Sequence, residues 1–136
     1  MFKRIKLIEG SSTDENTINQ ITEIAKNYKT VMVFLDSLHT HDHVLAEMNL
    51  YSQFVTVGSY MVLPDTFIEF FPKGYYRNRP WDVGNNPHTA LREFMKNNNV
   101  LSLIPTLQIN SVLLKQSTDT FRGKVILKDN LKDIGS

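Results

Sequence analysis

At 136 residues, with 41% hydrophobic and 21% charged residues, the chain has the composition of one soluble globular domain able to bury a core. Fifteen Lys and Arg against fourteen Asp and Glu leave a formal net charge of +1, which excludes a global field attracting nucleic acid or an acidic membrane. Zero cysteines exclude a disulfide framework and thiolate metal sites and fit a reducing, cytoplasmic setting.

The first nine residues interleave charge with apolar side chains, a pattern that predicts a strand over Ile5–Glu9 and not a signal peptide or membrane span. Gly10 stops it. Ser12-Thr-Asp-Glu15 has the Ser-x-x-Glu form of a capping box, so a helix is expected from there with Ile18, Ile21, Ala25 and Tyr28 on its apolar stripe. Val31–Leu35 is a continuous apolar run of strand length, the pattern of a strand covered on both faces. Asp42 can cap a second helix whose stripe is Val44, Met48 and Tyr51, widened by Leu45. After Gly58 a further strand is expected over Ser59–Asp65.

From Thr66 to Asn85 regular patterning lapses into an aromatic segment rich in Phe, Tyr and Trp81, the kind of long loop that is usually functional. Asn86-Pro87 predicts a helix start, with Ala90, Leu91, Phe94 and Met95 facing the core. Val100–Ile104 and Val112–Leu114 have strand character, Pro105 interrupts, and Lys128–Ser136 is expected to be a polar frayed tail beyond one domain spanning residues 1–127.

Two strand-like runs close on aspartates, Asp36 and Asp65, with room for one helical crossover between them. Parallel neighbours would therefore bring both carboxylates to one sheet edge, where ligands bind in open α/β sheets. Two such oxygens suit a hard divalent cation such as Mg²⁺; helix capping is the alternative use of either residue. His39-Thr-His-Asp-His43 collects three of the four histidines. It is one residue short of the His-x-His-x-Asp-His motif of metallo-β-lactamases, and only His88 follows, so zinc or iron is the weaker reading. Gly10-Ser11-Ser12, between a strand and a helix, could hold a polar cofactor edge. In Arg79–Pro87, Trp81 and Arg79 beside the paired Asn85 and Asn86 are residue types that stack on and hydrogen-bond to a sugar or heteroaromatic ring, although Trp81 could equally anchor its loop.

At these residues the chain resembles the rhamnosyl O-methyltransferase and cephalosporin hydroxylase family. The matching pieces are Ile8-Glu-Gly-Ser-Ser12, Leu35-Asp-Ser-Leu-His39, His43-Val-Leu-Ala-Glu47, Val57-Gly-Ser-Tyr-Met-Val62, Asp65-Thr66 and Arg79-Pro-Trp-Asp-Val-Gly-Asn-Asn-Pro87, in family order over roughly residues 5–97. The resemblance implies a partial Rossmann-like, class I methyltransferase fold: a three-layer α/β sandwich with a mainly parallel sheet. It also implies Mg²⁺-assisted methyl transfer from S-adenosylmethionine to a hydroxyl of a small-molecule acceptor, often a sugar or glycoside. Carried over by position, Asp36 and Asp65 look like metal ligands, and Gly10, Ser11 and Ser12 look like part of the cofactor pocket; for the expected reaction we name His39 as the base, Asp36 as a further cofactor contact, and Trp81, Asn85 and Asn86 as the side chains facing the acceptor.

Three departures qualify the resemblance. Pro64 stands where members commonly have Glu, the chain begins at what resembles the fourth strand and so omits the Gly-rich first unit, and the stretch after Asn97 departs from the family's ending. A contrasting expectation follows, in which the chain is an inactive or partner-dependent interaction module whose exposed sheet edge favours a homo-oligomer or a covering partner. An iron-dependent oxygenase is a third.

Overall fold

The computed structural model describes residues 4–104 and 111–117. Three helices, α1 (Glu15–Ala25), α2 (His41–Tyr51) and α3 (Pro87–Asn97), accompany four strands, β1 (Val33–Phe34), β2 (Tyr60–Leu63), β3 (Leu101–Ile104) and β4 (Ser111–Lys115). A short 3-10 helix covers Thr66–Phe70. In the sheet the order is β1-β2-β4-β3.

The crossover through α2 makes β1 and β2 parallel, with Val33 opposite Met61 and Phe34 opposite Val62, as the length between the two aspartates predicts. β4 is antiparallel to both β2 and β3. It follows that β1, β2 and β3 share one direction and only β4, inserted between β2 and β3, runs against them, giving an open mixed sheet with a parallel majority.

Residues opposite one another across a ladder share a face. Val33, Met61 and Leu113 therefore form one row across three strands, and all three are buried. They meet Val44 and Met48 of α2 and Ala90, Leu91 and Phe94 of α3, with Ile18, Ile21 and Ala25 of α1 at the margin of the same cluster. The helical stripes fall where the 3.6-residue period puts them. On the opposite face Met32, Phe34 and Tyr60 are exposed. The expected covering of β1 on both faces is thus corrected: among the described residues, the helices named above gather on one side.

Other local expectations also change. Ile5–Glu9 forms no strand, and Ile5 and Leu7 are exposed, since no described strand pairs with them. The Ser12 capping box does not close. Asp14 occupies the N-cap position of α1 without a side-chain cap bond, because Ser12 Oγ lies 3.2 Å from His43 Nε2 instead. Tyr28, expected on the α1 stripe, lies beyond the helix and is exposed. Thr40, not Asp42, is the N-cap of α2, leaving Asp42 in the first turn, where its charge favours the positive end of the helix dipole. Pro105 and the tail Lys128–Ser136, with the domain limit at 127, lie outside the described residues.

The predicted start of α3 holds in full. Asn86 is completely buried; its side chain accepts from the backbone N–H groups of His88 and Thr89, and Thr89 Oγ1 accepts from the Asn86 N–H to complete a capping box. Beside it, burial holds His88 below the ordinary histidine range, against the pull of Glu69 and with a smaller lowering by Arg92. The folded state then favours the neutral ring, so the unfolded chain binds more protons and stability falls as pH drops from about 6.5 toward the lower folded value. Denaturation midpoints measured between pH 7.5 and 5 are expected to show that decline, and His88→Gln is expected to flatten its His88-dependent part.

Candidate metal and cofactor site

Because β1 and β2 run in parallel and in register, their carboxyl ends release Asp36 and Asp65 on the same rim. His39, at the end of the turn after Asp36, joins them: one ligand atom from each of Asp36, His39 and Asp65 lies within 4.8 Å of the others. His39 Nε2 stands 2.6 Å from Asp65 Oδ2 and 3.6 Å from Asp36 Oδ1. Its Nδ1 is buried with no hydrogen-bond partner among the described residues, so Nε2 is the nitrogen that faces the two carboxylates. Asp65 has left-handed backbone dihedrals, φ 57° and ψ 23°. Such a conformation in a non-glycine residue costs free energy and marks a constrained position.

A roof covers the imidazole. Trp81 tilts over it with ring centroids 4.9 Å apart, and the Arg79 guanidinium sits 5.2 Å from the Trp81 ring centre, within cation–π range. The arginine that the sequence sets two residues before the Trp thus stands beside it in space as well. The loop is pinned from within: Asp82 accepts from the Gly74 N–H at 2.8 Å and Glu69 from the Gly84 N–H at 2.8 Å.

The two asparagines expected to face an acceptor do other work. Asn85 Oδ1 accepts from the His41 N–H at 2.8 Å while its Nδ2 donates to the Pro80 carbonyl at 2.9 Å. Asn86 is spent on the α3 cap and also donates to the Asp82 carbonyl at 2.9 Å. With these groups satisfied internally, both residues shape the loop that carries Trp81, Asn86 from a buried position and Asn85 from an exposed one.

The histidine run disperses. His41 opens α2, and its ring bridges Thr89 Oγ1 at 2.9 Å and Glu93 Oε2 at 3.0 Å on α3. His43 turns toward Ser12 and Glu47. Only His39 belongs to the potential metal cluster found among the described residues, which removes the zinc reading built on the three imidazoles together.

Gly10, Ser11 and Ser12 lie on a separate loop. Gly10 has φ +144°, and a Cβ there would sit 2.8 Å from Thr17 Oγ1, so both backbone and space call for glycine. Ser11 Oγ pairs with Thr13 Oγ1 at 3.1 Å. The Tyr51 hydroxyl donates to the Ser12 carbonyl at 2.8 Å; burial first and Glu47 second raise its pKa above the usual tyrosine value, keeping it a donor. Glu47, buried on α2, was missed as a site element. Its signal was a carboxylate four residues after His43, set inside the apolar run between Val44 and Met48.

The open mixed α/β sheet, with acidic side chains at the carboxyl ends of its parallel strands, has the class I methyltransferase fold, as a match to a solved structure shows. The solved MycE methyltransferase from the mycinamycin biosynthetic pathway, in complex with Mg and SAH, shares it over 80% of this chain and 31% of its own, at TM-score 0.53 and 18% identity. A second MycE structure, with Mg, SAH and mycinamycin VI, superposes at TM-score 0.52. The family model for Rhamnosyl O-methyltransferase/CmcI matches residues 1–124, and the chain belongs to that family. Its reach to residue 124 corrects the expectation that the family likeness stops at Asn97.

Rhamnosyl O-methyltransferases of Mycobacterium bovis (strain BCG / Pasteur 1173P2) and Mycobacterium tuberculosis (strain ATCC 25618 / H37Rv) are each 36% identical over 69 residues, 50% of this chain and 28% of theirs. The chain therefore spans less than a third of the length of these relatives.

Proposed function

We propose that this chain carries the metal-binding and acceptor-facing part of an S-adenosylmethionine-dependent O-methyltransferase acting on a hydroxyl of a sugar or glycoside. The observation that carries this reading is the convergence of Asp36, His39 and Asp65 within 4.8 Å at one sheet edge. Two carboxylates suit Mg²⁺, and the donor set fits such an ion. MycE, of the same fold, is solved with Mg and SAH, and the mycobacterial relatives are named for rhamnosyl O-methylation, which supports the acceptor class.

When bound, the cation acidifies an acceptor hydroxyl and the sulfonium cofactor supplies the methyl group. The protein's share is positioning and proton handling. Asp36 and Asp65 would hold the cation, and once it engages Asp65 in place of His39, the freed Nε2 of the Nδ1–H tautomer would accept the hydroxyl proton. Trp81 shields the imidazole and offers a flat surface to a sugar ring, with Arg79 beside it. Gly10, Ser11 and Ser12 form a cofactor-side loop. Calorimetric titration of the chain with Mn²⁺ or Mg²⁺ and with S-adenosylhomocysteine tests the reading: saturable binding of both is expected, and heats no larger than dilution would overturn it.

One observation favours a second reading, in which activity requires a partner. Met32, Phe34 and Tyr60 lie exposed on the uncovered sheet face, and an apolar surface of that kind is a contact candidate. The same calorimetry separates the two, because a partner-dependent chain gives no cofactor heat alone.

A further inference from the structure

Glu47 is only 2% exposed, yet no Lys or Arg among the described residues pairs with it. One oxygen, Oε1, accepts from Ser37 Oγ at 2.7 Å and lies 3.4 Å from His43 Nε2. The other, Oε2, is buried with no hydrogen-bond partner among the described residues. Burying an ionisable group with one oxygen unsatisfied costs free energy. Core packing alone does not call for a carboxylate here: Glu47 lies between Val44 and Met48 on a face already committed to the core, where an apolar side chain of similar volume would pack at least as well.

What Glu47 does reach is informative. Ser37 follows Asp36 directly, so one contact fixes the turn that carries a metal ligand. His43 Nε2 is in turn 3.2 Å from Ser12 Oγ, and the Tyr51 hydroxyl, one turn along α2, holds the Ser12 carbonyl. α2 thus grips the Gly10–Ser12 loop and the Asp36–Ser37 turn together, and Glu47 is where the two grips meet.

We propose that Glu47 is a positioning residue that sets the Asp36 metal-ligand turn through Ser37 and the Gly10–Ser12 loop through His43, tying the metal side of the site to its cofactor side. The metal arm rests on the function proposed above; the loop arm does not. Outer-shell partners of metal ligands typically contribute about 10- to 100-fold in affinity, and that is the scale expected here.

The test compares Mn²⁺ affinity, melting temperature and amide hydrogen exchange in the full chain and its variants. Glu47→Met is expected to melt no lower than the parent while binding Mn²⁺ about 10-fold more weakly, with faster exchange at residues 10–12 and 37. A purely structural residue would give the reverse, a lower melting temperature with unchanged binding and exchange, and that result overturns the proposal. If Glu47→Met does not fold, the two arms are read separately. Ser37→Ala should weaken Mn²⁺ binding without loosening the loop, and His43→Asn should loosen the loop without weakening Mn²⁺ binding; absence of this split overturns the proposal. Should the parent take up no Mn²⁺, the metal reading fails by itself, and exchange at residues 10–12 and 37 in Glu47→Met still decides whether Glu47 holds both segments.

Discussion

Asp65→Asn is expected to weaken Mn²⁺ or Mg²⁺ binding by more than about 100-fold, beyond what the loss of an outer-shell partner typically costs, with stability changed by no more than about 0.5 kcal/mol. The separation comes from the backbone. Asp65 sits at φ 57°, a region that Asn tolerates as well as Asp does. The amide therefore keeps the shape and the turn while removing the charge and one strong oxygen ligand. Asp65→Ala is a different experiment, since a residue without that tolerance adds about 1 kcal/mol of strain to the chemical loss. Asp36→Asn should resemble Asp65→Asn in binding, because both oxygens belong to one cluster. Retention of parental affinity in Asp65→Asn, measured by Mn²⁺ electron paramagnetic resonance titration, would place the cation elsewhere.

Met61→Ala should have the largest effect on stability, about 2–5 kcal/mol, read as a shift in the urea midpoint. Met61 is fully buried on the central strand β2, with Val33 opposite on one side and Leu113 on the other. Truncation leaves a cavity in the row on which the helices rest, and β2 leads directly to Asp65. Met61→Leu, nearly conserving volume, should cost less than about 1.5 kcal/mol. Phe34→Ala is the companion measurement: on the open face, with 56% of its surface exposed, it should cost far less than Met61→Ala. Comparable losses for the two would mean that the open face is covered in solution, and the one-sided layering would need revision.

Local patterning carried much of the fold. The Asn86-Pro87 signal located α3 because a side-chain oxygen facing free N–H groups, followed by a residue lacking an N–H, is a physical helix start that distant contacts do not alter. Patterning failed where a side chain had a choice of partners. Ser12 could cap α1 or meet His43, and the structure takes the second. Asn85 and Asn86 offered amides to a sugar or to their own loop, and the structure shows the loop bonds, which no local pattern had indicated. Val31–Leu35 read as doubly covered because apolarity alone does not reveal which face has a neighbour.

By itself, the sequence determined the strand–helix–strand order that makes β1 and β2 parallel neighbours, hence the meeting of Asp36 and Asp65, because crossover length and handedness leave few other topologies. Only the tertiary structure decided that His39, and not His41 or His43, completes the cluster, that β4 enters the sheet reversed, and that Glu47 reaches Ser37 and His43 from inside the core. Chain order sets which strand ends can share an edge. Which side chains then point into one another depends on packing between residues far apart in sequence, and no local pattern records that.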